Sequence, residues 1–289
     1  MNKKIYLTID FENKRFDLAR QLGLKKKLES REDILWESYN NINKFLEKSL
    51  NTNKITFFCT GNLVQQFPDL IKKICTDGHE IASHYYHHDL VYKEKVSDFE
   101  YNIQKSINLI ENLINKKVFG FRAPFFSIRE NDFDHYNVLS RYFKYDSSLN
   151  LDDNKRIVKL EKKLNNKEFK LFPVISSKIY SFLPKIKLGG SYLKLLNVQM
   201  MIKLIERSHA NSIVPIIYLH PYEFINENKM NLSWNELQEL GILNQLYWYF
   251  NQKKWHNKGN KFVSEKLAHI FKDSIDGSTI LDLYKTSFH

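Results

Sequence analysis

Cysteine, proline and glycine are scarce in this chain of 289 residues, which contains 2 Cys, 6 Pro and 9 Gly. Cys59 and Cys75 cannot form a disulfide framework, and both lie in apolar patterns, so we interpret them as core thiols. The composition, 43% hydrophobic and 27% charged, excludes collagen-like, low-complexity and largely disordered chains. No run of about 18 apolar residues is present, so the sequence predicts no transmembrane helix.

The N-terminal stretch also lacks the features of a secretory signal, because acidic residues follow its two lysines closely and no long apolar segment is present. The cytoplasm is therefore the expected compartment. The chain carries 44 Lys+Arg against 33 Asp+Glu, a formal charge of +11. This excess favours anionic partners such as a phosphorylated carrier or, peripherally, a membrane face. Nucleic acid is not expected, since the basic residues are scattered and no binding motif accompanies them.

Strand and helix patterns alternate along the chain. The predicted strands cover residues 4–10, 54–60, 79–83, 118–122, 142–146 and 212–220. The predicted helices cover residues 33–50, 63–74, 99–113, 133–141, 198–208, 234–250 and 261–272. This alternation predicts a mostly parallel α/β sheet or barrel. We expect one domain over residues 1–289, with an irregular insertion near 150–195 and a helical C-terminal part near 230–275.

Chemically reactive side chains follow five of the predicted strands. In a parallel α/β barrel the active site forms at the carboxyl ends of the strands. The residues that would lie there are Asp10, Glu12, His84, His87, His88, Arg122, Asp146 and His220. Each of these alone has an ordinary structural explanation, so it is their recurrence at five strand ends that indicates a catalytic site.

Two histidines predict a metal site. His84 and His88 are four residues apart, and in a helical turn this spacing puts both imidazoles on one side. His87 offers a competing pair at i, i+3, and we take it as a bystander. A divalent ion with two histidine ligands favours a carboxylate as the third ligand, and either Asp10 or Glu12 could supply it. The other carboxylate would stay free as a base.

These residues lie in stretches that resemble the polysaccharide deacetylase family, also called the NodB-homology or carbohydrate esterase family 4 group. The chain is most similar to the branch whose first motif is Asp-x-Glu, because Asp10 and Glu12 stand where the common pattern has two adjacent Asp residues. The resemblance follows the family's order over about residues 5–225. It rests on residues 8–12, 56–58, 78–84 with His88, 120–126, 145–148, 189–192 and 218–221.

The resemblance implies a distorted parallel (β/α) barrel with about seven strands and a metal ion held by two His and one carboxylate. Carried over by position, the ligands would be Glu12, His84 and His88. The expected ion is Zn²⁺, with Co²⁺ and Ni²⁺ as alternatives.

The resemblance also implies catalytic roles for residues at the strand ends. Asp10 would be the general base, oriented by Arg122, and His220 would be the general acid. The backbone N–H of Phe125 would help to hold the oxyanion. Asp146 could either orient His220 or cap a turn.

The implied activity is hydrolysis of an N-acyl group, acetyl or formyl, from an amino sugar. A cytoplasmic enzyme would act on nucleotide- or lipid-linked precursors of a surface glycan, whose phosphates would suit the positive charge. The residues expected to form the sugar site are Tyr86, Phe125, Phe126, Gly190 and Tyr192. The alternatives are a hydrolase of a non-sugar linear or cyclic amide, and a non-catalytic glycan-binding protein of the same fold.

Overall fold

Seven parallel strands form a sheet that curls into part of a barrel, with helices packed around it. The computed structural model describes residues 4–26, 28–182, 184–225 and 228–288. The strands are β1 (Lys4–Phe11), β2 (Thr56–Cys59), β3 (Glu80–Ser83), β4 (Gly120–Phe121), β5 (Tyr145–Asp146), β6 (Lys170–Leu171), β7 (Ser176–Ser177), β8 (Ile186–Lys187), β9 (Ile216–Leu219) and β10 (Ile275–Asp276). The helices are α1 (Lys14–Gln21), α2 (Glu32–Ser49), α3 (Gly61–Gln66), α4 (Pro68–Thr76), α5 (Val96–Ile114), α6 (Phe133–Tyr142), α7 (Asn154–Lys163), α8 (Gly190–Leu195), α9 (Val198–Ala210), α10 (Ile242–His256), α11 (Val263–Phe271) and α12 (Ile280–Thr286).

β1 is an interior strand of the sheet, and seven of its eight residues are buried, as expected for a parallel strand covered on both faces. It pairs with β9 on one side and with β2 on the other. The strand order is β9-β1-β2-β3-β4-β5-β6, and every pair is parallel. β10 pairs with the first residues of β1, while β7 and β8 form a separate antiparallel hairpin. The predicted distorted barrel with about seven strands is confirmed.

Three regions differ from the sequence prediction. The predicted helix over 63–74 is two helices, because Pro68 opens α4 and has no N–H with which to continue α3. The region 150–195 is more regular than predicted, since it contains α7, β6, the β7–β8 hairpin and α8. The predicted helix over 234–250 begins as a 3-10 segment, Asn235–Leu240, and α10 follows it.

Gly189, just before α8, occupies a position that favours glycine. Its φ of +130° is rare for L side chains, and an added Cβ would lie 2.1 Å from the carbonyl oxygen of Tyr218 in β9. We expect Gly189→Ala to lower the free energy of unfolding by about 3 kcal/mol or more in a denaturant titration. Gly23→Ala is the matched control, because Gly23 also has a positive φ but open space around it, so strain alone should cost about 1–2 kcal/mol. Equal losses in the two variants would contradict the packing argument.

Candidate active site

A cavity of about 450 Å³, lined by both charged and aromatic side chains, lies where the carboxyl ends of β1, β3, β4 and β9 come together. Strand ends of a parallel sheet meet at one edge, so residues distant in the chain become neighbours there. The lining includes Asp10, Glu12, His84, His88, Phe125, Phe126, Ser191 and His220. Seven of these eight, all except Ser191, were predicted site residues, and they come from four separate strand ends.

Three buried side chains form a candidate metal site. Glu12 follows β1, and His84 and His88 follow β3. Their ligand atoms all lie within 4.8 Å of one another. His84 Nε2 is 3.8 Å from Glu12 Oε2, and His88 Nε2 contacts the same oxygen. Ligand atoms of a tetrahedral ion with bonds of about 2.1 Å lie about 3.4 Å apart, so one ion could join all three.

The donor chemistry of these residues also fits a cation. His84 Nδ1 lies 2.7 Å from the backbone carbonyl oxygen of Arg122, which can only accept, so Nδ1 donates and Nε2 keeps a free lone pair. Burial lowers the pKa of His84 to about 4, which keeps the ring neutral. Burial alone would raise the pKa of Glu12, but His88 and the charge of Lys14 lower it well below its usual value. A neutral imidazole beside an ionised carboxylate is a donor set that Zn²⁺ and related ions bind.

A loop, and not the predicted helical turn, brings the two histidines together. Residues 84–88 have no helical structure, and Tyr85 has a φ of +68°. Gln21 of α1 holds the end of this loop, because its Nε2 donates to the backbone oxygen of His88 at 2.8 Å. His87, taken as a bystander, is half-buried and does not line the cavity.

Asp10 is held by a fully buried arginine. Arg122 Nη1 donates to Asp10 Oδ1 at 2.6 Å and to Thr8 Oγ1 at 2.8 Å. Arg122 Nη2 donates to Ser147 Oγ at 2.8 Å, and its guanidinium lies 4.1 Å from the ring centre of Phe58. A guanidinium fixed from several sides is a rigid partner for a carboxylate. Arg122 therefore fixes the position of the Asp10 carboxylate in the cavity wall.

His220, at the end of β9, is supported by a carboxylate that the sequence analysis missed. Glu223 Oε2 accepts from the His220 backbone N–H at 2.9 Å and lies 3.4 Å from His220 Nδ1. Burial alone would lower the pKa of His220, but the hydrogen bond and charge of Glu223, with the nearby carboxylates, raise it above its ordinary value. Lys194 Nζ lies 3.9 Å from the other oxygen of Glu223 and offsets its buried charge.

Asp146 does not contact His220. Its carboxylate accepts hydrogen bonds from the backbone N–H of Ser148 at 3.0 Å and from the Ser148 hydroxyl. The sequence allowed Asp146 either to orient His220 or to cap a turn, and these hydrogen bonds are those of a turn cap. The carboxylate beside His220 is that of Glu223. Burial raises the pKa of Asp146 to about 7, although the bonds from Ser148 lower it.

Two of the predicted sugar-site residues line the cavity. Phe125 and Phe126 both have a φ of +56°, and the Phe125 ring centre lies 4.2 Å from that of His88. Such left-handed backbone is uncommon for a bulky side chain and often marks a functional loop. Within the loop, Phe126 N–H donates to Ala123 O and Ser127 N–H to Pro124 O, which leaves the Phe125 N–H for a ligand.

The other three predicted sugar-site residues lie elsewhere. Tyr86 does not line the cavity, because its hydroxyl donates to Gln65 Oε1 at 3.0 Å and Lys105 Nζ lies over its ring. Gly190 and Tyr192 do not line the cavity, and Ser191 between them does. In an α-helix neighbouring side chains point in different directions, so only one of three consecutive residues faces the site.

Several other residues of the site were missed, one that holds His220 and three that line the cavity. Glu223 follows His220 by three residues, and that spacing could have revealed it. Lys187 in β8 lines the cavity with a pKa lowered by burial, and no local pattern indicates it. Trp248 and Trp255 line it from α10, about 30 residues beyond the last matching motif.

Comparison with known proteins supports one family for the chain. The family model described as polysaccharide deacetylase matches residues 32–138. Over this segment the chain is similar to the polysaccharide deacetylase family, and the comparisons support that family for the chain. The matched segment contains His84, His88 and Arg122, while Asp10, Glu12 and His220 lie outside it.

Two curated relatives match shorter segments. The chain is 35% identical over 111 residues to the peptidoglycan deacetylase-like protein FGM2 of Gibberella zeae, a match over 38% of this chain and 32% of that protein. It is 31% identical over 98 residues to the peptidoglycan deacetylase of Helicobacter pylori, covering 34% of this chain and 33% of that protein. The match therefore spans about a third of each relative.

A crystal structure from Mycobacterium smegmatis, named as a polysaccharide deacetylase, is similar to this chain over nearly its whole length. The likeness covers 99% of this chain and 91% of that one, with a TM-score of 0.58 and 14% identity. At 14% sequence identity this similarity shows that the two chains share a fold and shows nothing about function.

Proposed function

We propose that this chain is a member of the polysaccharide deacetylase family and a metal-dependent hydrolase that removes an acetyl or formyl group from the nitrogen of an amino sugar. The observation that carries the proposal is one cavity that contains the Glu12–His84–His88 cluster, the Asp10–Arg122 pair and His220. Amide hydrolysis needs an activated water, stabilisation of an oxyanion and a proton for the leaving amine. These side chains can meet those three needs.

Glu12, His84 and His88 would hold the ion, which we expect to be Zn²⁺, with Co²⁺ or Ni²⁺ as alternatives. When bound, such an ion supplies a Lewis acid that polarises the amide carbonyl and makes water more acidic. The Arg122 carbonyl oxygen fixes the His84 ring through Nδ1, so Nε2 points at the ligand position.

Asp10 would be the general base. Arg122 Nη1 donates to its Oδ1 at 2.6 Å and so fixes the carboxylate, which faces the cavity beside the Glu12–His84–His88 cluster. A carboxylate can take the proton of the attacking water as the C–O bond forms. The oxyanion that develops on the carbonyl oxygen would accept a hydrogen bond from the Phe125 N–H.

His220 would be the general acid. As the C–N bond breaks, the departing amine needs a proton, and a protonated imidazole beside Glu223 can donate one. Asp146, bound to Ser148, would support the wall of the site without contacting His220.

For the substrate we propose a nucleotide- or lipid-linked amino sugar, a precursor of a surface glycan met in the cytoplasm. The cavity volume of about 450 Å³ is in the range of small-ligand sites. The relatives are named as peptidoglycan deacetylases, which supports an N-acylated sugar. The charge of +11 and the lysines Lys14 and Lys187 in the cavity lining support a phosphate-bearing carrier.

A direct test combines metal analysis with product analysis on the purified protein. The samples are incubated with N-acetyl and N-formyl amino sugars, and free acetate, formate and amine are measured. Release of acetate or formate in step with the amine would support the proposal and identify the acyl group. Activity confined to non-sugar amides would favour the alternative hydrolase. A folded, metal-loaded protein that binds the sugar without hydrolysing it would favour a glycan-binding protein.

The raised pKa of His220 gives a pH prediction. A general acid works only while protonated, so kcat/KM should fall as the pH rises through the His220 pKa, at a pH above the ordinary value of about 6.5. Glu223→Gln removes the negative charge that raises this pKa, so the alkaline limb should move to lower pH. Glu265→Gln on the exposed surface of α11 is the control and should leave the profile unchanged. An unmoved limb in Glu223→Gln would argue against His220 as the acid.

A further inference from the structure

The fully buried side chains of α10 are polar, half-buried Trp248 and Tyr249 pack on the core beside them, and most of its exposed side chains are large and apolar. Gln245, Gln252 and His256 form its buried face. Hydrogen bonds hold that face to the protein, since Gln245 Nε2 donates to the Trp234 carbonyl at 2.8 Å and Gln252 Nε2 to the Leu232 carbonyl at 2.6 Å. The usual surface helix has the opposite arrangement, with its apolar stripe facing the core.

The outward face of α10 consists of large apolar side chains. They recur at helical spacing and are Ile242 (61% exposed), Leu243 (80%), Leu246 (40%), Tyr247 (59%) and Phe250 (62%). Single exposed apolar residues are ordinary, but a continuous apolar face on one helix marks an interaction site.

The chain segment that carries this face is positively charged, although Glu236 and Glu239 precede it in the 3-10 segment. Residues 242–264 contain Lys253, Lys254, Lys258 and Lys261 and no Asp or Glu. Lys254 is exposed one turn beyond Phe250 in α10 and so extends the same face. A partner must therefore offer both apolar contact and negative charge.

An anionic bilayer meets both requirements better than a second copy of the chain does. In a two-fold dimer the same patch meets itself, which would bring two positively charged lysine clusters together. An anionic membrane offers a negative surface above an apolar interior. No helix among the described residues is long and apolar enough to span a membrane, so α10 with its 15 residues would lie in the interface plane.

We propose that the outward face of α10 docks on an anionic bilayer and that the amino sugar reaches the cavity from a lipid carrier in that bilayer. Trp248, Asn251 and Trp255 of the same helix line the cavity, so docking would put the site within about one helix diameter of the membrane surface. The substrate part rests on the proposed function, whereas the docking part does not.

Flotation with vesicles tests the docking. Wild-type protein should float with vesicles of phosphatidylcholine and phosphatidylglycerol in equal parts and much less with pure phosphatidylcholine. Leu243→Glu/Phe250→Glu should weaken binding at least about tenfold, because both side chains leave the apolar phase. Lys253→Gln/Lys254→Gln should also weaken it by about tenfold or more on anionic vesicles. The matched control is Phe182→Glu, which changes a side chain that is 81% exposed outside α10.

Two results would overturn the docking. One is equal flotation of the wild-type protein and the folded Leu243→Glu/Phe250→Glu variant with anionic vesicles. The second is a wild-type protein that is a dimer and binds no vesicles, together with a double variant that is a monomer. That result would assign the face to a second copy of the chain. Circular dichroism confirms that each variant is folded.

Kinetics separate the docking from the proposed function. The double variant should lower kcat/KM at least about tenfold for an N-acyl amino sugar on a lipid carrier in vesicles, with hydrolysis of a soluble N-acyl amino sugar unchanged. Equal kcat/KM of wild type and variant on the vesicle-borne substrate would overturn the substrate part. Wild-type protein that floats but hydrolyses neither sugar would contradict the proposed function and leave the docking supported.

Discussion

Asp10→Asn should lower kcat by about 10²–10⁴-fold and leave the bound metal in place. An amide cannot take a proton from water, and removal of a general base has an effect of this size. The substitution keeps the side-chain shape, and its oxygen can still accept the hydrogen bond that Arg122 donates to Asp10 at 2.6 Å. The loss should therefore appear in kcat, measured by acyl release at saturating substrate, with unchanged metal content.

The metal content of Asp10→Asn decides whether Asp10 or Glu12 is the carboxylate ligand, which the sequence left open. Loss of the ion would make Asp10 a ligand and not the base, whereas a wild-type kcat would remove it from the mechanism. Asp69→Asn is the matched control, because Asp69 is an exposed carboxylate on α4, distant from the cavity lining. Its kcat and metal content should equal those of the wild type.

The central sheet could be predicted because its strands are short apolar runs that alternate with helical patterns. β1 and β2 are covered on both faces, so all of their residues except Lys4 are buried and most of them are apolar. Elements that depend on distant partners could not be predicted. β10 consists of Ile275–Asp276 and exists through its pairing with the start of β1, about 270 residues earlier. α1 and α12 are short and carry no long apolar repeat, so periodicity does not reveal them.

Site residues that directly follow a strand could be predicted, because the strand fixes the position of the next backbone atoms. His84 and Arg122 are of this kind. Residues further into the loops could not be, since loop backbone decides where a side chain points. The positive φ at Tyr85 sends Tyr86 toward Gln65, so an aromatic residue beside two predicted ligands lies outside the cavity.

Removal of a metal ligand should cost the protein both its bound ion and its activity. We expect Glu12→Ala and His84→Ala each to lose the ion and to lose activity by more than the ten- to hundredfold that outer-shell substitutions typically cost. His87→Ala is the matched control, because it removes an imidazole from the same loop but from outside the cavity lining. Metal content by elemental analysis and acyl release are measured on the same samples.

Thermal unfolding gives a second measurement of these ligand variants that does not depend on activity. An ion that binds only the folded chain stabilises it, by about 4 kcal/mol when its concentration is 1,000 times the dissociation constant. Adding a chelator should therefore lower the Tm of the wild type and of His87→Ala, and should leave the Tm of His84→Ala and Glu12→Ala unchanged. A wild-type Tm that does not respond to chelator, together with unchanged metal content in His84→Ala, would exclude the Glu12–His84–His88 cluster as the metal site. The opposite pattern would assign the ion to that cluster even before a substrate is known, because the two readouts depend only on binding.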